Sequence, residues 1–457
     1  MNLIESLRQL IPDTDRVTAN ETIRNQHSQD ISSYHQPHQP DAVVYPKTNT
    51  EVSQIIAFAH QHNIPLVPFG VGTSVEGQVI PVKGGISLNL TMMNNILDIR
   101  PNDFLVKVQP GVTRKQLNLA LKEHGLFFPV DPGADATLGG MAATNASGTT
   151  AVRYGTMRQQ VLGLETVLAD GRTIHTGGLA VKSSAGYNLT GLFVGSEGTL
   201  GIITELTLRV YGIPEWTLAA RAVFPDVGAA SNAAAAMRMC ALPLDRIELV
   251  DTRTIQVVNQ FKQTTFQEAP TLFLEFSGTR QAVEHDFTLA QQLLQEEGSL
   301  DIAYDTDTKA RNELWTARHE AALAFTASAP GKRLLSTDVC VPLSALPSAI
   351  VNARQAIDEA GLDGGLLGHV GDGNYHAALL IDPTNPDELT RAQHVNEQIV
   401  HYALSQGGTC TGEHGIGLGK AKFLKQEHGD NAVQLMQAIK QLLDPTDILN
   451  PGKIFLP

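Results

Sequence analysis

Three glycine-rich stretches punctuate the first half of this chain, and they constrain its fold more than any other feature. Residues 68–77 read PFGVGTSVEG, residues 129–148 read PVDPGADATLGGMAATNASG and residues 195–203 read GSEGTLGII. Glycine lets backbone N–H groups approach a ligand closely. In the first stretch Gly70 and Gly72 follow a strand pattern, and Thr73 and Ser74 add hydroxyl donors. That composition suits a diphosphate, although a tight turn would suit this segment equally. A nicotinamide-type Rossmann fingerprint needs a helix opening at its glycines. Pro81, Gly84 and Gly85 come next instead, followed by a strand, which disfavours such a site. The second stretch is dense in small residues and almost uncharged, so a bulky planar ligand can lie against bare backbone. Three such loops are more than turns alone require.

At 457 residues the chain is too long for one core, and two or three domains are expected. Before residue 212, helix and strand patterns alternate. Thr50 is expected to cap a helix carrying Val52, Ile55, Ile56 and Ala59 on one face, with Asn63 ending it. Residues 64–68, 86–90 and 105–109 read as strands, the second half-buried. Residues 113–123 read as a helix. Residues 161–168 and 172–176 form an expected hairpin turned at Asp170-Gly171. After Gly212-Ile213-Pro214 the pattern becomes strands at 218–224, 246–250 and 272–276, with helices between them. That predicts an α+β layer, a sheet with helices on one face. A helix over 432–443 and an extended stretch end the chain.

Net charge is −14, which removes any general attraction for nucleic acid or anionic lipid. Cys240, Cys340 and Cys410 fit neither a disulfide framework nor an iron–sulfur cluster, so buried reduced thiols are expected. The N-terminal residues lack a signal-peptide core, and no apolar run is long enough to span a membrane. A cytoplasmic protein with no transmembrane segment is expected.

The second half carries a histidine constellation. Residues 366–380 read LLGHVGDGNYHAALL, two apolar runs around a turn at residues 371–374. If Val370 faces Tyr375 across a hairpin, His369 faces His376, with Cβ atoms about 4.5–5.5 Å apart. Two imidazoles at that spacing can converge on one cation; two unrelated half-buried histidines are the alternative. Residues 411–419, TGEHGIGLG, put Glu413 and His414 on a glycine-flanked bend. His369, His376 and Glu413 together offer two nitrogens and one oxygen, the ligand set of a divalent site with open positions.

The glycine-rich half resembles the FAD-binding domain of the vanillyl-alcohol oxidase flavoprotein family, from about residue 41 to 211 and again in LDPTDILNPGKIF at 443–455. The resemblance implies a two-subdomain FAD-binding domain over 1–212 and a substrate (cap) domain over 213–420 built on an antiparallel sheet. Residues 421–457 would return to the FAD domain. It implies that Pro68, Gly70, Gly72, Thr73, Ser74 and Gly77 hold the FAD diphosphate. Pro132, Gly133, Thr137, Gly139, Gly140, Ala143, Thr144, Asn145 and Gly148 would line the cofactor, and Gly198, Ile203 and Asn450 would touch it. The first loop has no histidine for covalent attachment, so non-covalent FAD is expected.

Three further strings, STDVCVPLS at 336–344, GHVGDGNYH at 368–376 and CTGEHGIGLGK at 410–420, resemble the cytochrome-type D-lactate dehydrogenase branch of that family. They are slightly less similar to its D-2-hydroxyglutarate dehydrogenase and glycolate oxidase branches. The resemblance implies that His369, His376 and Glu413 bind a divalent metal, Zn or Mn. His414 would be the base, and Arg318 in WTARHE would grip the substrate carboxylate. A solvated helix-surface arginine is the plainer reading of Arg318. The expected reaction oxidises a small D-2-hydroxy acid, D-lactate first. Its electrons would pass to a quinone, a cytochrome or an electron-transfer flavoprotein, which could hold the protein peripherally at a membrane. Ser336 and Thr337 before Asp338 favour a monocarboxylate, although Lys332 and Arg333 lie close by. A metal-dependent hydrolase and a non-catalytic flavin subunit are the rival classes. The first leaves the glycine-rich half without a purpose, and the second does not account for Glu413 and His414.

Overall fold

The computed structural model describes residues 2–31 and 34–456. The chain divides into two units: Met1–Ser147, Gly155–Ile213 and Glu413–Pro457 form the first, Gly148–Tyr154 and Pro214–Gly412 the second.

Among the described residues the first unit has two main sheets, each with its own core, and a two-stranded ribbon that pairs Leu126–Phe127 with Tyr211–Gly212. One has strand order Val17–Thr18, Ala42–Val44, Ile86–Asn89, Leu66–Phe69, and its last two pairings are parallel. Ile86–Asn89 is buried along its whole length, Ser87 included, rather than half-buried as its alternation suggested. A central parallel strand is covered on both faces, so alternation loses its meaning there. The helix Asn49–Gln61 buries Val52, Ile55, Ile56 and Ala59 against this sheet. Its cap is Thr48, not Thr50. Thr48 has an extended backbone, and its hydroxyl accepts from the Glu51 amide at 3.2 Å. Asn63, at φ 51°, turns the chain out of the helix.

The other sheet is antiparallel, in the order Ile96–Arg100, Leu105–Val108, Ile202–Arg209, Val161–Val167, Thr173–Gly177. The last two strands are the expected hairpin. Leu117, Leu138, Met141 and Leu206 lie in its core. The C-terminal stretch docks on the first sheet, where the Leu66 amide donates to Ile448 and the Asn450 amide donates to Leu66. The return to this unit begins at Glu413 rather than 421, because the bend after Gly412 is bonded to this unit's loops. The last helix runs Leu424–Leu443 and is broken at Gly429.

The second unit is built on one antiparallel sheet, in the order Asp301–Asp305, Trp216–Val223, Thr271–Gly278, Leu244–Val250, Asp363–Gly368, Asn374–Ile381, Arg333–Ser336. The expected helical layer on one face is joined by helices on the other. Phe276 meets Phe287 of helix Arg280–Glu296, with ring centroids 5.9 Å apart. Phe273, whose side chain points to the opposite face, meets Trp315 of helix Thr308–His319 at 6.4 Å.

None of the three cysteines is in a disulfide. Cys410 is buried and Cys340 half-buried, but Cys240, at the end of helix Val227–Met239, is exposed, against expectation. Burial and the charges of Asp372 and Asp338 push the Cys340 thiol up to about 12, so it stays protonated. Among the described residues no helix is long and apolar enough to cross a membrane.

Candidate functional site

In the first unit the three glycine-rich loops are pressed together. A Cβ on Gly70 would lie 2.4 Å from the Thr137 hydroxyl, and one on Gly198 would lie 2.4 Å from Pro68 Cγ. The Glu197 amide donates to Ala143 and the Gly195 amide to Ala142, which joins the second loop to the third. No helix opens at Gly70 or Gly72; the loop stays irregular until Ile86. The hydroxyl oxygen of Ser74 is inaccessible and has no hydrogen-bond partner among the described residues. A phosphate oxygen would satisfy it, so the residues present fit a diphosphate.

The other expected cofactor residues fall in several places. Pro132 and Gly133 lie in the loop before helix Leu138–Thr144, and a Cβ on Gly133 would meet nothing within 4 Å. Gly139, Gly140, Ala143 and Thr144 are in that helix. Gly77 donates its amide to Asp30 at 2.6 Å. Ile203 begins the interior of strand Ile202–Arg209. Asn145, left-handed at φ 52°, accepts from the Thr156 hydroxyl and the Arg158 amide through its side-chain oxygen. Asn450 is also committed to the protein: its amide donates to Gln78 O at 3.0 Å and Glu197 O at 2.8 Å. Gly148 opens the short segment that belongs to the second unit.

The bend after Gly412 is fixed by three groups of the first unit. Ser147 donates its hydroxyl to the Glu413 carboxylate at 2.7 Å. Gln78 donates to the His414 carbonyl at 2.7 Å. The Glu197 carboxylate accepts from the Ile416 and Gly417 amides at 2.6 and 2.9 Å. Burial pushes Glu197 up to about 7, against the pull of those amides. Glu197 was not singled out from the sequence, and Ser147 only as one of the small residues of the second glycine-rich stretch. Both sit inside the glycine-rich stretches, where small polar residues read as cofactor lining.

In the second unit His369 and His376 come together, but not through the expected register. His376 is opposite Leu367, and His369 lies in the turn beyond the end of strand Asp363–Gly368. The turn is longer than foreseen because Gly373 docks on another segment. Its carbonyl accepts from the Val341 amide at 3.0 Å, and its φ of 89° leaves it no room for a side chain beside Val341 O. The slip is two residues, and a two-residue slip keeps side chains on the same face. The imidazole centroids are therefore 5.6 Å apart, with ligand atoms within 4.8 Å of one another.

Each imidazole has its tautomer set by a neighbour that can only accept. His376 Nδ1 donates to Thr337 O at 3.0 Å, and His369 Nδ1 donates to the Glu248 carboxylate at 2.7 Å. In the neutral imidazole this makes Nε2 the nitrogen that can bind a metal. Asp338, fully buried, accepts from Asn374 and Thr411 and lies 3.6 Å from His376 Nδ1.

Arg318 is 5% exposed, which overturns the solvated-surface reading. It is in the last turn of helix Thr308–His319, and its Nη2 pairs with Glu248 at 2.5 Å. Its Nε is buried without a partner among the described residues. A buried guanidinium with an unmet donor fits an anion such as a carboxylate.

An FAD-linked oxidase C-terminal domain model matches residues 213–454, and an FAD-binding domain model matches residues 40–177. The chain belongs to the FAD-linked oxidase family. It is an FAD-dependent oxidoreductase. The probable mitochondrial D-lactate dehydrogenase of Danio rerio is 45% identical over 99% of this chain and 91% of its own length. The mitochondrial D-lactate dehydrogenase (cytochrome) of Arabidopsis thaliana is 41% identical over 100% of this chain and 80% of its own. The solved structure of p-cresol methylhydroxylase shares the fold, with a TM-score of 0.81 at 19% identity over 99% of this chain and 96% of that one.

Proposed function

We propose that this chain oxidises D-lactate to pyruvate with non-covalent FAD and a divalent metal, Zn or Mn, and passes the electrons to a non-nicotinamide acceptor. The observation that carries the metal-assisted 2-hydroxy-acid reading is the His369–His376 pair, both rings held at Nδ1 by an acceptor, on the same unit as the buried Arg318. The relatives' names supply D-lactate as substrate.

When bound, FAD accepts a hydride from carbon, and a divalent cation acidifies the hydroxyl it binds. His369 and His376 would hold the cation, with Glu413 as third ligand. A Cβ on Gly412 would meet the Asn374 amide and lie 3.2 Å from Asp338, so this end of the bend is packed beside His376's own neighbours. Arg318 pairs with the substrate carboxylate. His414 takes the hydroxyl proton as the Cα hydrogen leaves with its electron pair, and a 2-oxo acid remains. Lys332 pairs with Glu388 at 3.4 Å, which engages one cation that a second substrate carboxylate would need and so favours a monocarboxylate.

D-Lactate should reduce a dye or quinone in the presence of the purified enzyme, and L-lactate and D-2-hydroxyglutarate should do so far more slowly. Rapid stoichiometric formation of NADH from D-lactate would overturn this reading. The mode of FAD binding is checked separately. Acid precipitation should release the flavin into the supernatant, because no histidine lies in the loop at 68–77. Flavin that stays with the pellet would show a covalent bond.

A further inference from the structure

We infer that Glu248 is a positioning residue that fixes the metal-binding face of His369 and the carboxylate-binding Arg318 with a single buried carboxylate. This inference rests on the roles of those two residues proposed above.

Glu248 has no solvent exposure. An ionised carboxylate so deep is costly unless donors satisfy it. Each of its oxygens meets a different donor: Oε1 accepts from His369 Nδ1 at 2.7 Å, and Oε2 accepts from Arg318 Nη2 at 2.5 Å. The fold delivers both. Strands Leu244–Val250 and Asp363–Gly368 pair antiparallel with Leu249 opposite Gly368 and Val250 opposite Leu367. One step further along the same register puts Glu248 opposite His369. Two residues back along the strand, on the same face, Arg246 stacks over the Trp315 ring at 4.8 Å and pairs with Glu275 at 3.2 Å. Trp315 and Arg318 are three apart on one helix and so share its face. The stacking that seats Trp315 on the strand therefore also seats Arg318 over Glu248.

The consequences differ for the two partners. As an acceptor, the carboxylate keeps the proton on His369 Nδ1, makes Nε2 the nitrogen that can act as a ligand and raises its basicity. For Arg318 it engages Nη2 and holds the guanidinium in one orientation, with Nε left for a substrate anion. A neutral isostere cannot do both. The Glu248→Gln amide has one acceptor oxygen and one NH2, so either His369 or Arg318 would face a donor.

The test compares wild-type holoenzyme with E248Q. Each is loaded with Zn2+ or with Mn2+ alone and titrated with a chelator, with FAD content and melting temperature as controls. E248Q should keep stoichiometric FAD and lose about 10–100-fold in metal affinity. At saturating metal its KM for D-lactate should stay raised about tenfold, the loss expected with one charge-assisted hydrogen bond. A merely structural residue would lower the melting temperature and leave metal affinity and KM unchanged. Wild-type metal affinity and KM in E248Q would overturn this inference alone. A wild-type protein that takes up neither metal would overturn the metal assignment as well. If E248Q does not retain FAD, Glu248→Asp replaces it, because it keeps both acceptor oxygens but retracts them by one methylene. Unchanged metal affinity and KM in that variant would overturn the inference equally.

Discussion

His376→Ala should strip the divalent metal and lower D-lactate turnover by about 10³-fold or more, the several kcal/mol that a Lewis acid supplies. The flavin spectrum should survive. His376 is 5% exposed and belongs to the second unit, whereas the loops at 68–77 and 195–203 are wholly in the first. Removing the imidazole leaves Thr337 O without the ring donor at 3.0 Å. An unmet buried acceptor costs about 1–3 kcal/mol, enough to lower the melting temperature but not to unfold a domain with its core intact. His369→Ala should behave alike, because each ring supplies one Nε2. Metal analysis beside flavin absorbance decides the matter. Full metal content in both variants would show that the paired histidines do not hold the ion.

Much of this arrangement can be read from the chain because its signals are local. The absence of a helix after Gly70 and Gly72, the Asp170-Gly171 hairpin and the helix that buries Val52, Ile55, Ile56 and Ala59 all follow from short-range rules of turn chemistry and periodicity. The His369–His376 pairing was right in outcome and wrong in register. Face depends only on whether the slip is odd or even, whereas register depended on Gly373 meeting Val341, a contact no local pattern encodes. Glu248 shows where such reading stops. Between Ile247 and Leu249 it looks like the polar side of an alternating strand, open to water. Only the opposite register of strand Asp363–Gly368 and the helix carrying Trp315 and Arg318 bury it. For the same reason the sequence left a solvated surface open as an alternative for Arg318: a helix has a polar face by sequence, but which neighbour covers it is a long-range matter. Thr48 and Thr50 are equal candidates for a cap by composition, and the extended backbone of Thr48 separates them only in three dimensions.

Glu413 and His414 are adjacent, yet their proposed roles differ, and kinetics can separate them. Glu413 is tied by Ser147 through its carboxylate, which leaves it an acceptor suited to a cation. His414 is tied through its backbone carbonyl by Gln78, and an alanine there keeps that main-chain anchor. His414→Ala should therefore retain FAD and metal and still bind D-lactate through Arg318. Its rate of flavin reduction should fall by about 10²–10⁴, the contribution of a positioned general base. Glu413→Ala should instead lose metal first and activity as a consequence, and added metal should restore part of its rate. Stopped-flow bleaching of the flavin with D-lactate, run beside metal analysis of both proteins, distinguishes the two. Flavin reduction at the native rate in His414→Ala would remove His414 as the base. The hydroxyl proton would then need another acceptor, which the neighbouring Glu413, once engaged with a cation, is poorly placed to be.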